Sequence, residues 1–252
     1  MANTSLYNTI FSNRPLIMKG GLSKPLDILA LLNMKKELFI MIFLNLLIQV
    51  TITYYVMMNV NLFQQNNNNG KNNIGNITNP NKIVLRILLF IALFVLIFVI
   101  NLPMPSWMRF MVFSVISTLF GIILSNLKNV YGAELIKAAI LSTIGIFATF
   151  LFFGIAIVAF GIKLGVKTLL FLLGALLLYI ITKIVFMFAG NYSNYSKTFA
   201  IIGLSIFAAF IIYDTNIILR RDYQGDFITA SLDYYLDIIN TFVNVLRFGG
   251  NE

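Results

Sequence analysis

This sequence predicts an all-α polytopic membrane protein, a bundle of seven transmembrane helices, for three reasons. Of its 252 residues, 59% are hydrophobic and only 11% charged, with a mean hydropathy of +0.89, whereas soluble domains carry about a quarter charged residues. The apolar residues gather into runs of about 20, the length needed to cross the hydrocarbon of a bilayer. Between the runs stand proline, glycine, asparagine and isolated charges, which suit connections rather than helix interiors. The chain thus divides into a basic cytosolic tail at 1–36 and one membrane domain at 37–248.

The tail carries Arg14, Lys19, Lys24, Lys35 and Lys36 among prolines and paired glycines. It has no apolar stretch of the signal-peptide kind, so insertion is expected to begin with the first span. That span is expected at 38–58 and runs into an asparagine-rich tract, QQNNNNGKNNIGNITNPN at 64–81, too polar to bury and read as a disordered loop. Span two, 83–102, is broken by Pro103 and Pro105, which cannot continue a helix. Trp107 anchors the start of span three, 107–125, at the interface. Span four covers 134–160, and Gly154, Gly161 and Gly165 allow neighbouring helices to come close. Spans five, six and seven are expected at 168–188, 198–219 and 227–248.

Charge and composition exclude several classes of function. A net charge of +9 in a soluble protein would suggest nucleic acid, but here the basic residues are scattered over loops and span ends, so the partner expected is the bilayer and no nucleic acid. Without cysteine there is no thiol nucleophile or iron–sulfur cluster; without histidine the commonest general base and metal ligand is gone. No enzymatic activity and no resident cofactor are therefore expected. With the amino terminus inside, ten of the eighteen basic residues fall on inward loops, and the sequons at Asn76, Asn191 and Asn194 face the lumen or exterior.

The acids are distributed unevenly. Five of nine lie between Tyr213 and Phe248: Asp214, Asp222, Asp226, Asp233 and Asp237. Asp214 falls near the end of span six and Asp237 in the middle of span seven, and an ionisable group inside a span is a functional candidate. Asp233, Asp237, Asn240 and Asn244 are spaced i, i+4, i+7, i+11, one stripe of a helix. Lipid offers such a stripe no hydrogen bonds, so it must face the bundle interior or a water-filled cavity. In antiparallel neighbours Asp214 and Asp237 come within roughly two turns of one depth. Two carboxylates in a poorly solvated site cannot both ionise cheaply, so the pair is expected to hold a proton and act as a pH sensor. When ionised it offers hard oxygen ligands to Ca²⁺, with Asp233 and Asn240 as auxiliaries. The plainer alternative pairs Asp214 with Arg220 or Arg221 and leaves Asp233 near the headgroups.

The stretch YDTN at 213–216, a basic turn, and ASLDYYLDIINTFVNVLRF at 230–248 closely resemble the carboxyl-terminal signature of the transmembrane Bax inhibitor motif family, which embraces Bax inhibitor, Lifeguard and Golgi anti-apoptotic proteins. ELIKAAILSTIGIFATFLFFG at 134–154 and MKKELFIMIFLNLLIQVTITY at 34–54 are similar to its fourth and first spans. The resemblance implies a seven-helix bundle of the Bax-inhibitor type in endoplasmic reticulum or Golgi membranes, with the plasma membrane a further possibility. It implies a pH-dependent Ca²⁺ leak that lowers stored Ca²⁺ and inhibits apoptosis, with Ca²⁺, protons and Bcl-2-type or ion-channel proteins as partners. The family's paired aspartates fall on Asp214 and Asp237. Two departures stand out. Bacterial members place an arginine latch near the end of span two, where this chain reads VINLPMPSW with no basic residue before Arg109; and Asp233 stands where Ser or Asn is expected. Other functions stay open: a non-conducting scaffold for channel or cell-death partners, and an intramembrane aspartyl protease, for which Tyr213-Asp214 fits one motif but Tyr223-Gln224-Gly225-Asp226 lacks the first glycine of the other.

Overall fold

A computed structural model describes residues 28–60, 80–190, 192–220 and 226–250. Seven α-helices account for nearly all of these: α1 Ile28–Asn59, α2 Pro80–Val99, α3 Ser106–Leu124, α4 Leu127–Ala159, α5 Val166–Phe188, α6 Ser196–Arg220 and α7 Phe227–Gly249. Five of them, α1, α3, α4, α5 and α6, are long and apolar enough to cross a membrane. The first 27 residues, 61–79 with Asn76, the residue Asn191, residues 221–225 and residues 251–252 lie outside the described residues.

Helix boundaries follow local chemistry. Pro105 occupies the cap position of α3, so Pro103 and Pro105 end one helix and start the next as expected. Pro80 opens α2, where its missing N–H costs nothing, so the last two residues assigned to the asparagine-rich loop are helical. Helix α1 begins at Ile28, well before the span expected at 38–58 and inside the stretch read as a tail. Ile28 to Leu32 is a run of apolar helix formers, and Leu31 is buried against Val158 and Leu219. Gly132, at φ 72°, interrupts α4 and separates its first turn from the long apolar segment.

The helices are arranged around α7, which packs against α6, α4, α1 and α3. Helix α2 rests on α3, and α5 on α6, as outer elements. Hydropathy alone does not mark α7 as a span, because its polar stripe dilutes the apolar residues; its neighbours shield it from lipid instead. The outer surface is strongly apolar: Phe98, Phe171 and Phe188 are 76%, 75% and 89% exposed. Such a surface is stable only in hydrocarbon. With the seven-helix arrangement this makes the protein a polytopic membrane bundle.

Small residues let the inner helices touch. A Cβ on Gly154 of α4 would stand 2.6 Å from that of Thr215 on α6, and one on Gly203 of α6 would stand 2.6 Å from the amide oxygen of Asn244 on α7. Gly154 thus acts as the sequence suggests. Gly161 and Gly165 do not, since no atom approaches either; Gly161, at φ 79°, makes the turn after α4.

Candidate functional site

Adjacent tyrosines fix α7 from two sides, and the acid pair sits just beyond them. Tyr234 and Tyr235 are both fully buried. The Tyr234 hydroxyl is 2.9 Å from Thr215 Oγ1 on α6, and its ring meets Phe147 of α4 edge-on at 5.2 Å. Tyr235 points the opposite way: its hydroxyl is 2.6 Å from Thr53 Oγ1 on α1, and its ring meets Phe113 and Phe120 of α3 edge-on. A buried tyrosine needs a partner for its hydroxyl as well as room for its ring. These two therefore set both the depth and the rotation of α7.

With α7 so held, Asp237 turns toward α6 and lies within hydrogen-bonding reach of Asp214. Asp237 is 5% exposed and Asp214 half-buried. A hydrogen bond between two carboxyl groups needs a shared proton, whereas ionising both would place two negative charges close together with little water to screen them. Asp237 Oδ2 is buried and accepts no hydrogen bond. Asp233, one turn earlier, adds its negative field to Asp237.

Not every residue of the expected stripe serves the pair. Asn240 spends its amide on the carbonyl of Leu236, 2.8 Å away on its own helix. Asn244 donates to the Asn240 carbonyl and accepts from Tyr179 of α5 at 3.3 Å. Among the described residues, no three acidic, histidine or cysteine side chains gather as a metal-binding group. The pairing of Asp214 with Arg220 is not seen: the Arg220 guanidinium donates instead to the carbonyl of Ile162 at 2.9 Å and faces that of Val158. Arg221 and the Tyr223-Gln224-Gly225 segment lie outside the described residues. Asp226 serves as the cap of α7, accepting from Thr229 N, and pairs with Arg109.

Arg109 does not reach the acid pair. Its Nη1 meets Asp226 Oδ1 at 2.8 Å, its Nη2 donates to Thr229 Oγ1, and its Nε donates to the Ile100 carbonyl at 2.9 Å. Burial opposes ionisation of Asp226, but hydrogen bonds from Arg109 and Thr229 and the charge of Arg109 outweigh it and hold the carboxyl below its ordinary range.

Three features of this region escape a reading of the acids alone. Gln49, fully buried on α1, donates to Asn45 and Ser114 and accepts from Ser117 Oγ at 2.8 Å. Thr53 continues the chain of contacts to the Ser117 carbonyl and to Tyr235. The signal was present: Asn45, Gln49 and Thr53 are spaced i, i+4, i+8, the same logic that marks α7. The third feature is Thr241, one turn past Asp237. Its hydroxyl is buried with no partner, while Thr53, Thr143 and Thr215 each bond the carbonyl four residues back.

Comparison with known proteins identifies a family for the chain. The sequence profile of a family described as "Inhibitor of apoptosis-promoting Bax1" matches residues 33–252. The chain is similar to Bax inhibitor 1 of Schizosaccharomyces pombe, 30% identical over 141 residues that make up 53% of this chain and 49% of that protein. It is similar to Protein lifeguard 4 of Mus musculus, 36% identical over 21% of this chain and 24% of that one. With the Golgi anti-apoptotic protein of Vaccinia virus (strain Lister) it shares 40% identity over 18% of this chain and 19% of the viral one. The matched segment thus spans about half the length of the fission yeast protein and less of the others.

Proposed function

This chain belongs to the family of inhibitors of apoptosis-promoting Bax1, and from that membership we propose that it is a pH-sensitive Ca²⁺ leak channel of internal membranes that lowers stored Ca²⁺ and inhibits apoptosis. The observation that carries this reading is the Asp214–Asp237 contact across the α6–α7 interface, with one oxygen of Asp237 left without a partner. Protonated, the two carboxyls hold α6 and α7 together. Ionised, they repel, and the same oxygens attract a hard cation. Protons and Ca²⁺ thus compete for one site. Two carboxylates fall short of the six to eight oxygens that hold Ca²⁺ firmly, which suits a passing ion better than a resident one. The role is non-enzymatic. The names of the relatives, Bax inhibitor 1 and Golgi anti-apoptotic protein, support suppression of cell death, and the second supports a Golgi location; the endoplasmic reticulum is the other membrane we propose.

Ca²⁺ flux through the purified protein in liposomes, followed from about pH 5 to pH 8, tests the reading. A flux that changes with pH, and whose pH response is lost in the Asp214→Asn/Asp237→Asn double variant, is the expected result. Absence of flux at every pH in the unsubstituted protein rejects the channel and leaves a scaffold for cell-death or channel partners. Asp233→Asn alters the pH response as well, since that charge acts on Asp237.

A further inference from the structure

Lys183 of α5 and Arg247 of α7 both lie beside Tyr179, at the end of the bundle opposite the Arg109–Asp226 pair. Lys183 Nζ lies 5.3 Å from the ring centre of Tyr179 and 5.8 Å from that of Tyr192. Arg247 is within hydrogen-bonding reach of the Tyr179 hydroxyl, and that hydroxyl donates to Asn244 Oδ1 at 3.3 Å. Tyr179 is 8% exposed. Arg247 thus brings a second positive charge to bear on Lys183, while the ion pairs Arg109–Asp226 and Lys137–Glu134 lie elsewhere.

A basic residue that only anchors a span extends its stem by itself toward the headgroups. Here cations from two different helices converge on one buried tyrosine, although like charges repel. Such a pair is stabilised by an anion between them. Depth indicates which anion. Tyr192 stacks on Phe199 at 5.7 Å, and Phe186 meets both Tyr195 and Phe199 edge-on. Aromatic collars of this kind mark the boundary between hydrocarbon and water, the level at which lipid headgroups lie.

We infer that Lys183 and Arg247, gathered beside Tyr179, form a binding site for the phosphate of an anionic phospholipid, at the rim where the ends of α5 and α7 meet. Arg247 supplies directed N–H donors and Lys183 a point charge. Tyr192 fixes the lysine stem.

The full chain, placed in nanodiscs of phosphatidylcholine with or without a minority of phosphatidylglycerol, tests the site by thermal melting and by native mass spectrometry of retained lipid. Phosphatidylglycerol raises the melting midpoint of the unsubstituted protein and is retained on it; the Lys183→Gln/Arg247→Gln variant loses both effects. The Lys183→Arg/Arg247→Lys exchange keeps them. Equal retention in the Gln variant and the unsubstituted protein overturns the site. So does a midpoint rise produced by inorganic phosphate in phosphatidylcholine alone, which assigns it to a soluble anion. A rise that appears only in Glu252→Gln also overturns it, since the chain's own carboxylate then fills the place.

Discussion

Arg109, in the first turn of α3, and Asp226, the cap of α7, form an ion pair of 2.8 Å that ties the central helix to the end of the bundle. Because Arg109 also donates to Ile100 at the end of α2, one side chain joins three helix termini. The connection lies at the end of α7 nearest its tyrosine anchors, so it adds to the forces that aim Asp237 at Asp214.

Replacement of Asp226 separates its two duties. Asp226→Asn keeps an oxygen for the cap but removes the charge, and costs about 1 kcal/mol; Asp226→Ala removes both and costs about 2 kcal/mol. Arg109→Met leaves the Ile100 carbonyl without its side-chain donor and the half-buried carboxylate without its counter-charge, at a cost of about 2–3 kcal/mol. Thermal melting in detergent reads all three. The pH dependence has a definite sign. A carboxyl held below its ordinary range in the folded state contributes stability that is fully present above the ordinary carboxylate pKa and is lost as pH falls through the lower, folded value. The gap in stability between the unsubstituted protein and Asp226→Asn should therefore narrow on acidification below about pH 4. A gap of constant size down to that range removes the charge from the explanation.

Gln49 uses both ends of its amide on partners from two helices: Asn45 on its own, Ser114 and Ser117 on α3. Gln49→Leu keeps the volume but strips partners from buried polar groups, and the cost is about 2–3 kcal/mol. The triple change Gln49→Leu/Ser114→Ala/Ser117→Ala recovers part of that loss, because it removes the stranded groups as well. Chemical denaturation of the single and triple variants decides it: additive losses contradict a shared network.

The order and number of helices were legible because apolar runs of about 20 residues, broken by Pro103, Pro105 and Gly161, leave few other arrangements. Asp237 was legible too, since an acid amid Leu and Ile cannot face lipid. What surrounds α7 was not. Its central place follows from helix contacts such as Gly203 against Asn244 and Tyr235 against Thr53, and no single stretch of sequence names both partners. Arg109 illustrates the same difficulty. Its place in the chain, beyond the expected latch position, says nothing of the partner it does take, which lies 117 positions away, at Asp226. The early start of α1 was hidden for another reason: Lys35, Lys36 and Glu37 mark the edge of a membrane span, but a helix does not stop where the hydrocarbon does.

Thr241 yields the sharpest test of the acid site's surroundings. A threonine hydroxyl in a helix usually bonds the carbonyl four residues back, as Thr143 does at 2.7 Å and Thr215 at 2.7 Å. For Thr241 that carbonyl belongs to Asp237, and the bond is not made. A buried hydroxyl without a partner costs about 1–3 kcal/mol relative to one that is paired. Valine has the same shape without the hydroxyl, so Thr241→Val should leave the melting midpoint unchanged or raise it, by up to about 1 kcal/mol in stability. Thr215→Val, which removes a hydroxyl partner of Tyr234, should instead cost about 1–2 kcal/mol. If Thr241→Val proves as harmful as Thr215→Val, the Thr241 hydroxyl has a partner after all, and a water molecule bridging it to Asp237 Oδ2 would satisfy both groups.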